Sequence, residues 1–294
     1  MKALVFAESA AAATELCAGV RTLAEEVVCV TLGETVTGVA DKTVVINVPD
    51  GHPKEDAYET ALAVMEAEDP QIVLSEPTRR LKIIVGKLAA HEGASVQTDV
   101  TAFCDGATES MYFGGVGIRK EKSASPIVFC TAGAGVFGDV QAQGTDVVET
   151  PAFVEPAASL ACTLREQLPP ADVDLTAAKN VVAAGRGFAQ ESELDLAREF
   201  CKKIGAELGC TRPLTEGENW FPREAYIGVS GLMLTPEVYV GIGTSGQMQH
   251  MVGVDRAKVA FAINKDKNAP IFQKVDYGLV GEITTVLPEV NARL

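Results

Sequence analysis

The sequence predicts an α/β fold with two doubly wound domains, the C-terminal one built on a parallel sheet. Short runs rich in Val and Ile alternate with longer helical patterns, and parallel strands need such crossover connections. This alternation occurs twice, before and after a pair of adjacent prolines. With 294 residues, 47% of them hydrophobic and 22% charged, the chain is long enough for two globular domains.

The first half of the chain contains strands separated by helical stretches. The predicted strands cover residues 3–7, 27–31, 44–48 and 72–75, and the predicted helices cover residues 10–23, 54–68 and 79–91. After Ser95 the pattern changes to short runs between glycines, at 110–119 and 127–131. Such runs predict antiparallel pairing in this part.

A domain boundary is predicted at 168–174. Pro169 and Pro170 cannot continue a helix, and the acids after them stay solvated, so few contacts should cross this stretch. We therefore expect an N-terminal domain over 1–168, with a nucleotide-binding-like fold, and a C-terminal domain over 175–294.

The second half begins a new α/β pattern. Strands are predicted at 180–184, 225–229, 238–241, 258–263 and 283–286. A helix over 191–208 would present one apolar face, made of Leu194, Ala197, Phe200, Cys201 and Ile204. Ligands of doubly wound sheets bind at the carboxyl ends of strands, so functional residues are expected directly after them.

The formal net charge of −15 argues against a surface for nucleic acid or anionic membranes. No apolar run reaches the roughly 18 residues of a membrane span, and the first one contains Glu8, which predicts a cytoplasmic protein without membrane insertion. The seven cysteines form no C-x-x-C pair and the three histidines no metal spacing. Reduced thiols and no metal site are therefore expected.

An anion site is predicted where the run 238–240 is followed by glycines and the start of a helix. Bare backbone N–H groups and the positive end of a helix meet at such a point. The imidazole of His250 would lie one turn into this helix and point back at the ligand. The candidate residues are Ser245, Gly246, Gln247, Met248, Gln249 and His250.

Two arginines that follow predicted strands are candidate ligands for the same anion. Arg186 lies between Gly185 and Gly187, which would let a cofactor approach the backbone, and Arg212 follows Thr211. A guanidinium binds phosphates and planar acceptors through two parallel hydrogen bonds. Taken alone, each could also be a solvated arginine in an ordinary turn.

Residues 241–246 also match the pattern G-x-G-x-x-G, which raises the alternative of a nicotinamide-dependent dehydrogenase. The strand before this pattern is not the first of its domain. A dehydrogenase of this type also needs an acid at the end of a second strand, about 20 residues later. Asp266 has that spacing, but it stands within Asn264-Lys265-Asp266 and does not end such a strand. A hydrolase is disfavoured further, because no motif gathers a nucleophile, a base and an orienting group.

From Gly185 to Pro288 the chain resembles the flavin-binding half of the electron transfer flavoprotein α subunit, in its FixB-like branch. Eight short motifs occur in the order and spacing of that family. They are Gly185-Arg186-Gly187, Thr211-Arg212, Gly228-Val229-Ser230-Gly231, Pro236-Glu237-Val238-Tyr239, residues 245–250, residues 262–266, Ala269-Pro270-Ile271-Phe272 and Asp276-Tyr277-Gly278.

The resemblance implies an FAD site. Arg212 would lie against the isoalloxazine and the Ser230 hydroxyl near N5. His250 would face the C2 carbonyl, where it would stabilise a reduced flavin anion, and Asn264 would hold the adenosine side. The implied cofactor-binding residues are Arg186, Thr211, Arg212, Ile227, Gly228, Val229, Ser230, Gly231, Ser245, Gly246, Gln247, Met248, Gln249, His250, Asn264, Lys265, Asp266, Glu282 and Ile283.

The chain departs from the common family pattern at four positions. Val229 and Leu232 stand where many relatives have Gln and Lys, which removes a polar contact and a positive charge. Thr211 and Glu282 replace Ser and Asp and keep the functional groups. The first two changes leave open an alternative, a nucleotide-binding assembly subunit without a redox flavin.

By resemblance, the protein is an electron carrier rather than an enzyme with its own substrate. FAD would lie in the C-terminal domain, against the β subunit of a heterodimer. Electrons would pass from a dehydrogenase of the acyl-CoA type, or a related one, to a downstream acceptor. The N-terminal domain would serve as the platform on which the β subunit docks.

Overall fold

A computed structural model describes residues 1–138, 140–158, 161–164, 166 and 174–294. Its contacts divide the chain into two compact units, residues 1–112 with 117–167, and residues 113–116 with 168–294. The boundary predicted at 168–174 lies outside the described residues, apart from Asp174. Both units are α/β, as the sequence predicts. In the part of the chain that the structure describes, no helix is long and apolar enough to cross a membrane.

Unit 1 contains a nine-stranded mixed sheet in the order β7-β6-β5-β8-β4-β1-β2-β3-β9. Its strands are β1 (Lys2–Ala7), β2 (Glu26–Thr31), β3 (Lys42–Val45), β4 (Ile72–Ser75), β5 (Val96–Cys104), β6 (Ala107–Tyr112), β7 (Gly117–Glu121), β8 (Val128–Ala132) and β9 (Val148–Glu149), and its helices are α1 (Ala10–Val20), α2 (Tyr58–Glu68) and α3 (Arg79–His91). The predicted strands and helices of the first half are thus present, with shifted ends.

Alternate residues of β1 face opposite sides of this sheet and enter two separate cores. Val5 packs into the core that includes residues of α1, whereas Leu4 and Phe6 pack into the core that includes residues of α2 and α3. All three side chains are fully buried. A strand covered on both faces reads as a continuous apolar run, which is the pattern that the sequence shows here.

The antiparallel pairing predicted after Ser95 is confirmed for β5, β6 and β7. It is wrong for 127–131, because β8 pairs in parallel with both β4 and β5. Phe129 and Cys130 of β8 are fully buried. A strand inserted between two others is apolar on both faces, and its direction cannot be read from such a run.

Unit 2 contains a five-stranded parallel sheet in the order β11-β10-β12-β13-β14. Its strands are β10 (Asn180–Ala184), β11 (Glu207–Cys210), β12 (Val238–Ile242), β13 (Val259–Asn264) and β14 (Tyr277–Val280), and its α-helices are α4 (Leu194–Ile204), α5 (Arg212–Glu216), α6 (Met248–Met251) and α7 (Ile283–Arg293). The chain runs outward from β10 to β11 and then crosses to β12 on the other side of β10. The carboxyl ends of β10 and β12 therefore flank a topological switch point.

Three predicted elements of unit 2 differ in the structure. The helix over 191–208 ends at Ile204, because Gly205 is left-handed at φ +60° and caps it before β11. The region 225–229 forms a 3₁₀ turn and isolated bridges rather than a strand of the sheet. Residues 283–286 are the start of α7, whose Ile283, Leu287 and Asn291 are buried four residues apart on one face.

Candidate functional site

The predicted site residues of unit 2 follow its strands at one edge of the sheet. Arg186 comes after β10, Arg212 after β11, residues 245–250 after β12, Lys265 and Asp266 after β13, and Glu282 after β14. Because all five strands run in parallel, these positions share the carboxyl edge. The order of strands therefore brings together residues that are up to a hundred positions apart.

Six of the predicted residues line a single cavity of about 340 Å³ in unit 2. A cavity of this size falls in the usual range for small-molecule sites. Its described walls combine one guanidinium, one hydroxyl and two carboxamides with apolar and aromatic groups. The lining residues are Arg212, Tyr226, Val229, Ser230, Gln247, Gln249 and His250.

Ser230 is presented to this cavity by a tight loop. It adopts φ +68°, a left-handed conformation that costs an ordinary residue about 1 to 3 kcal/mol. The loop closes on itself through the hydrogen bond from Gly231 N to Gly228 O (2.8 Å). It is tied to the next element through Val229 N to Gln249 O (2.7 Å). A strained polar residue in a cavity wall is typical of a binding site.

Arg212 is the only cation among the described lining residues, and its charge is already partnered. Its Nε donates to Glu216 Oε2 at 2.6 Å, one turn along α5. The hydrogen bond to Glu216 raises the pKa of Arg212 above its ordinary value. Both side chains are exposed. Any anion that binds Arg212 therefore competes with the Glu216 carboxylate.

His250 lies in a helix of only four residues, and both of its ring nitrogens are bonded within the protein. Nδ1 lies 3.0 Å from the carbonyl oxygen of Ile227, and Nε2 lies 2.7 Å from the hydroxyl of Tyr239. Burial lowers the pKa of the imidazole below its usual 6.5, although the bond to Ile227 opposes this. The predicted contact to a flavin carbonyl would have to replace one of these two bonds.

The glycines around Arg186 allow a close contact between two loops. A Cβ on Gly185 would lie 2.4 Å from Gly243 O, and a Cβ on Gly187 would lie 2.5 Å from Gly243 Cα. Gly187 N also donates to Gly243 O at 2.9 Å. These glycines thus allow the loops after β10 and β12 to pack against each other, while the Arg186 side chain is exposed between them.

The same contacts weaken the dehydrogenase alternative. In a dinucleotide-binding G-x-G-x-x-G loop, the second glycine leaves room for a pyrophosphate. Here a Cβ on the corresponding Gly243 would lie 2.8 Å from Gly187 Cα. The third glycine, Gly246, faces Ile271, whose backbone nitrogen would lie 2.3 Å from a Cβ. The pattern is explained by packing within the protein.

Several predicted residues lie outside the cavity lining. Asn264 donates to Thr244 O at 2.8 Å and so joins the end of β13 to the loop after β12. Lys265 and Glu282 form an exposed ion pair at 3.6 Å. The side chain of Ile283 is buried in the core. The other predicted residues that do not line the cavity are Arg186, Thr211, Ile227, Gly228, Gly231, Ser245, Gly246, Met248 and Asp266.

The sequence reasoning missed four residues that organise the site. Tyr226 lines the cavity, and Glu216 holds Arg212. The hydroxyl of Tyr239 forms a hydrogen bond with His250. Thr244 is buried, and its hydroxyl has no hydrogen-bond partner among the described residues. Tyr239 stands in a motif that supports the resemblance, but nothing in its spacing indicates where its hydroxyl points.

In unit 1 a side chain of the protein occupies the start of α1. The backbone nitrogens of Glu8 and Ser9, at the start of α1, donate to Glu76 Oε2 at 2.7 and 3.2 Å. A helix start of this kind would otherwise suit a phosphate. The Glu76 carboxylate accepts the hydrogen bonds that a phosphate would accept there.

The described cysteines do not suggest a nucleophile. All seven are free, and five of them are buried, whereas Cys104 is exposed and Cys162 is half-buried. Burial raises the pKa of Cys130, Cys201 and Cys210 to about 12, so these three are protonated thiols at neutral pH.

Comparison with known proteins agrees with the position of the cavity. Residues 174–255 match the family model of the electron transfer flavoprotein FAD-binding domain. Protein FixB of Escherichia coli O1:K1 / APEC is 37% identical over 308 aligned residues, which cover 99% of this chain and 97% of that protein. Protein FixB of Escherichia coli O81 (strain ED1a) is 40% identical over 255 residues, 83% of this chain and 82% of that protein.

Solved structures are more distant. Benzoylformate decarboxylase from Polynucleobacter necessarius aligns with a TM-score of 0.28 and 13% identity, over 99% of this chain and 58% of that chain. At so low a TM-score, nothing follows from this alignment for the chain.

Proposed function

The chain belongs to the electron transfer flavoprotein α family, alongside the FixB proteins, and on this premise we propose that it binds FAD and carries electrons as the α subunit of a heterodimer. Members of this family are electron-transport flavoproteins. The proposed donor is a dehydrogenase of the acyl-CoA type or a related one, and the proposed acceptor is a further redox protein. We propose no substrate turnover by the chain itself.

The observation that supports this proposal is the cavity in unit 2 that the predicted residues line together. It is lined by Arg212, Ser230, Gln247, Gln249 and His250, which come from three separate segments of the chain. The resemblance implies that all five contact FAD. Residues that bind one ligand must line the same cavity, and these five do.

The donor set fits a flavin. The carboxamides of Gln247 and Gln249 and the hydroxyl of Ser230 can donate to ring nitrogens and carbonyls. The Arg212 guanidinium can lie against the ring and favour negative charge on it. Bound FAD would supply the electron chemistry, while these side chains would orient it and set its potential. The other implied residues, Arg186, Asn264, Lys265, Asp266 and Glu282, stand along the same edge for the rest of the cofactor.

For unit 1 we propose a docking role toward the β subunit. The helix start of α1 is already taken by Glu76, which argues that this unit does not bind a nucleotide there. The proposed extents of the two domains remain 1–168 and 175–294. The proposed location is the cytoplasm.

The test is to coexpress the chain with its β subunit and to purify the pair. The complex should be yellow, with a flavin spectrum that bleaches on reduction. Arg212→Ala should weaken FAD retention and lower the midpoint potential of the flavin. Arg198→Ala is the matched control, because Arg198 pairs with Asp195 at 2.7 Å on the exposed side of α4.

A colourless complex that takes up no added FAD would contradict the proposal and favour the alternative assembly subunit. Equal losses in Arg212→Ala and Arg198→Ala would show that the effect comes from lost surface charge and not from the cavity. Oxidation of NADH against a small hydroxy or keto acid without a second protein would favour the dehydrogenase.

A further inference from the structure

The hydrogen bonds of His250 determine its tautomer. A carbonyl oxygen only accepts, so Nδ1, at 3.0 Å from Ile227 O, must carry a proton. In the neutral imidazole Nε2 then has no proton and accepts from the Tyr239 hydroxyl at 2.7 Å. A neutral ring is thus fully satisfied by these two bonds.

The Tyr239 hydroxyl reaches His250 because the strand leaves room for it. Tyr239 and Gly241 share one face of β12, and the phenol extends toward the carboxyl end of the strand. A Cβ on Gly241 would lie 2.8 Å from the Tyr239 hydroxyl and 2.6 Å from Thr244 Oγ1. Any larger residue at 241 would therefore displace both hydroxyls.

Among Tyr239, His250 and Thr244, the unusual residue is Thr244, because its hydroxyl has no partner in the described part of the chain. Its side chain is 1% exposed, and Oγ1 has no hydrogen-bond partner among the described residues. The hydroxyl is near enough to the Tyr239 phenol to lower the pKa of the phenol, although burial has the larger and opposite effect. No hydrogen bond of normal geometry joins them. A buried hydroxyl without a partner destabilises the folded state, so its presence needs an explanation.

We propose that Tyr239 is a positioning residue that holds His250 as the neutral Nδ1–H tautomer. When His250 becomes charged, Thr244 Oγ1 accepts the hydrogen bond that the Tyr239 hydroxyl can no longer donate to Nε2. In the charged state, Nε2 gains a proton from solvent and donates it to the Tyr239 oxygen. The Tyr239 O–H then turns from Nε2 to Thr244 Oγ1. The donors of His250 and Tyr239 are thus paired in both states.

The charged and titratable groups near His250 fit this arrangement. From α5, Arg212 lines the same cavity and is paired with Glu216, so the charges of that pair largely cancel. Tyr226 also lines the cavity, and burial raises its pKa. Tyr239 itself stays protonated, because burial raises its pKa strongly. Among the described residues of the cavity, no acid faces His250 directly to hold it charged.

The inference deepens the proposed function and rests on it for its consequence. If FAD occupies the cavity, the imidazole of His250 beside it is neutral and can take up a proton. It is not a permanent cation. Burial lowers the pKa of His250. Negative charge in the cavity would raise the pKa again, so proton uptake would follow the arrival of that charge.

The test uses the full chain without flavin, labelled with ¹⁵N at histidine. The chain has three histidines, so His52→Gln and His91→Gln leave the His250 signals identified. Long-range ¹H–¹⁵N spectra should show a proton on Nδ1 and none on Nε2 above neutral pH. The signal should titrate below the ordinary value of 6.5.

Two variants separate the two parts of the proposal. Thr244→Val should keep the tautomer and titrate at a lower pH than the parent, because the charged state loses its acceptor. Tyr239→Phe should shift the Nε2 signal in the neutral state and also lower the titration, since Nε2 loses both a donor and an acceptor. Thr285→Val, at an exposed position of α7, should change neither.

An Nε2–H tautomer in the parent would overturn the proposal, and so would an unchanged titration in Thr244→Val or in Tyr239→Phe. The backbone spectra of each variant show whether the fold is kept. The readout needs no FAD, so a failure here leaves flavin binding untouched. A colourless heterodimer would in turn leave the tautomer result in place.

Discussion

The hydroxyl of Tyr226 donates a hydrogen bond of 2.5 Å to the carbonyl oxygen of Val229, across the loop that holds Ser230 at φ +68°. The ring of Tyr226 also fills the space next to Gly231, where a Cβ would lie 2.5 Å from Tyr226 Cδ1. The strained loop thus depends on a buried tyrosine. Tyr226 itself is 4% exposed.

Tyr226→Phe should destabilise the chain by about 0.5 to 1.5 kcal/mol, because one hydrogen bond is lost while the ring stays in place. It should also weaken FAD binding, since Ser230 would be held less rigidly. Urea denaturation and flavin titration would measure the two effects. Tyr277→Phe, at an exposed position of β14, should alter neither. A Tyr226→Phe variant with unchanged flavin affinity would argue against a role for the loop.

Glu216→Gln should tighten FAD binding. The substitution removes the carboxylate that holds Arg212 at 2.6 Å, so the guanidinium becomes available to an anionic ligand. Both side chains are exposed, so we expect little change in Tm. Asp195→Asn is the control, because it removes the acid of a similar exposed pair, 2.7 Å from Arg198. Equal effects of the two substitutions on FAD affinity would contradict competition at Arg212.

Gly185→Ala should destabilise the chain by about 1 to 3 kcal/mol, the usual cost of forcing an extra carbon into a packed site. The new methyl would lie 2.4 Å from the carbonyl oxygen of Gly243. Gly86→Ala, within α3, is the contrasting control, since no atom lies within 4 Å of its Cβ position. It should stabilise the chain by about 0.5 to 1 kcal/mol. Thermal unfolding of both variants would measure the difference, and a neutral Gly185→Ala would argue against close packing of the two loops.

The acid sensitivity of unit 1 should depend on Glu68. Burial acts to raise the pKa of Glu68, but hydrogen bonds from Lys42 and Lys2, at 2.5 and 3.0 Å, outweigh it and hold the pKa below its ordinary 4.5. A lowered carboxyl pKa contributes stability above the unfolded value, and this contribution is lost as the pH falls through the folded value.

Glu68→Gln should therefore cost about 1.5 to 3 kcal/mol at pH 7, and the cost should shrink as the pH falls below 4.5. Urea denaturation at a series of pH values would follow this difference. Glu66→Gln is the control, because the Glu66 side chain is 60% exposed and lies 3.7 Å from His91. A cost of Glu68→Gln that did not change with pH would rule out the charged cluster as its source.

Much of the fold could be predicted because its signals are local. Strands β10 and β12 appear as apolar runs that end in glycines, and α4 shows Leu194, Ala197 and Phe200 at helical spacing. The start of α7 could not be predicted in the same way. Its β-branched residues at 283–286 read as a strand, and only the burial of Leu287 and Asn291 on the face of Ile283 shows the helix.

The candidate site was predictable in its membership more than in its contacts. Chain order places Arg212, Ser230 and His250 after strands or in tight turns, and parallel strands bring those positions to one edge. The packing of Gly185 and Gly187 against Gly243 could not be predicted, because a glycine next to an arginine looks the same in sequence whether a ligand or another loop lies against it. The role of Tyr226 could not be predicted, because it stabilises the loop through a hydrogen bond to the carbonyl oxygen of Val229, and no sequence pattern indicates that bond.

The sequence by itself determined the α/β pattern, the strongly acidic character and the family resemblance, because these depend on residue type and on spacing within one segment. Only the tertiary structure decided which hydrogen-bond partners each side chain has. His250 bonds to Ile227 and Tyr239, which lie 23 and 11 positions away, and it is their placement that makes the imidazole a neutral acceptor at Nε2. Hydrogen-bond partners and burial set a protonation state, and both arise only when distant segments meet.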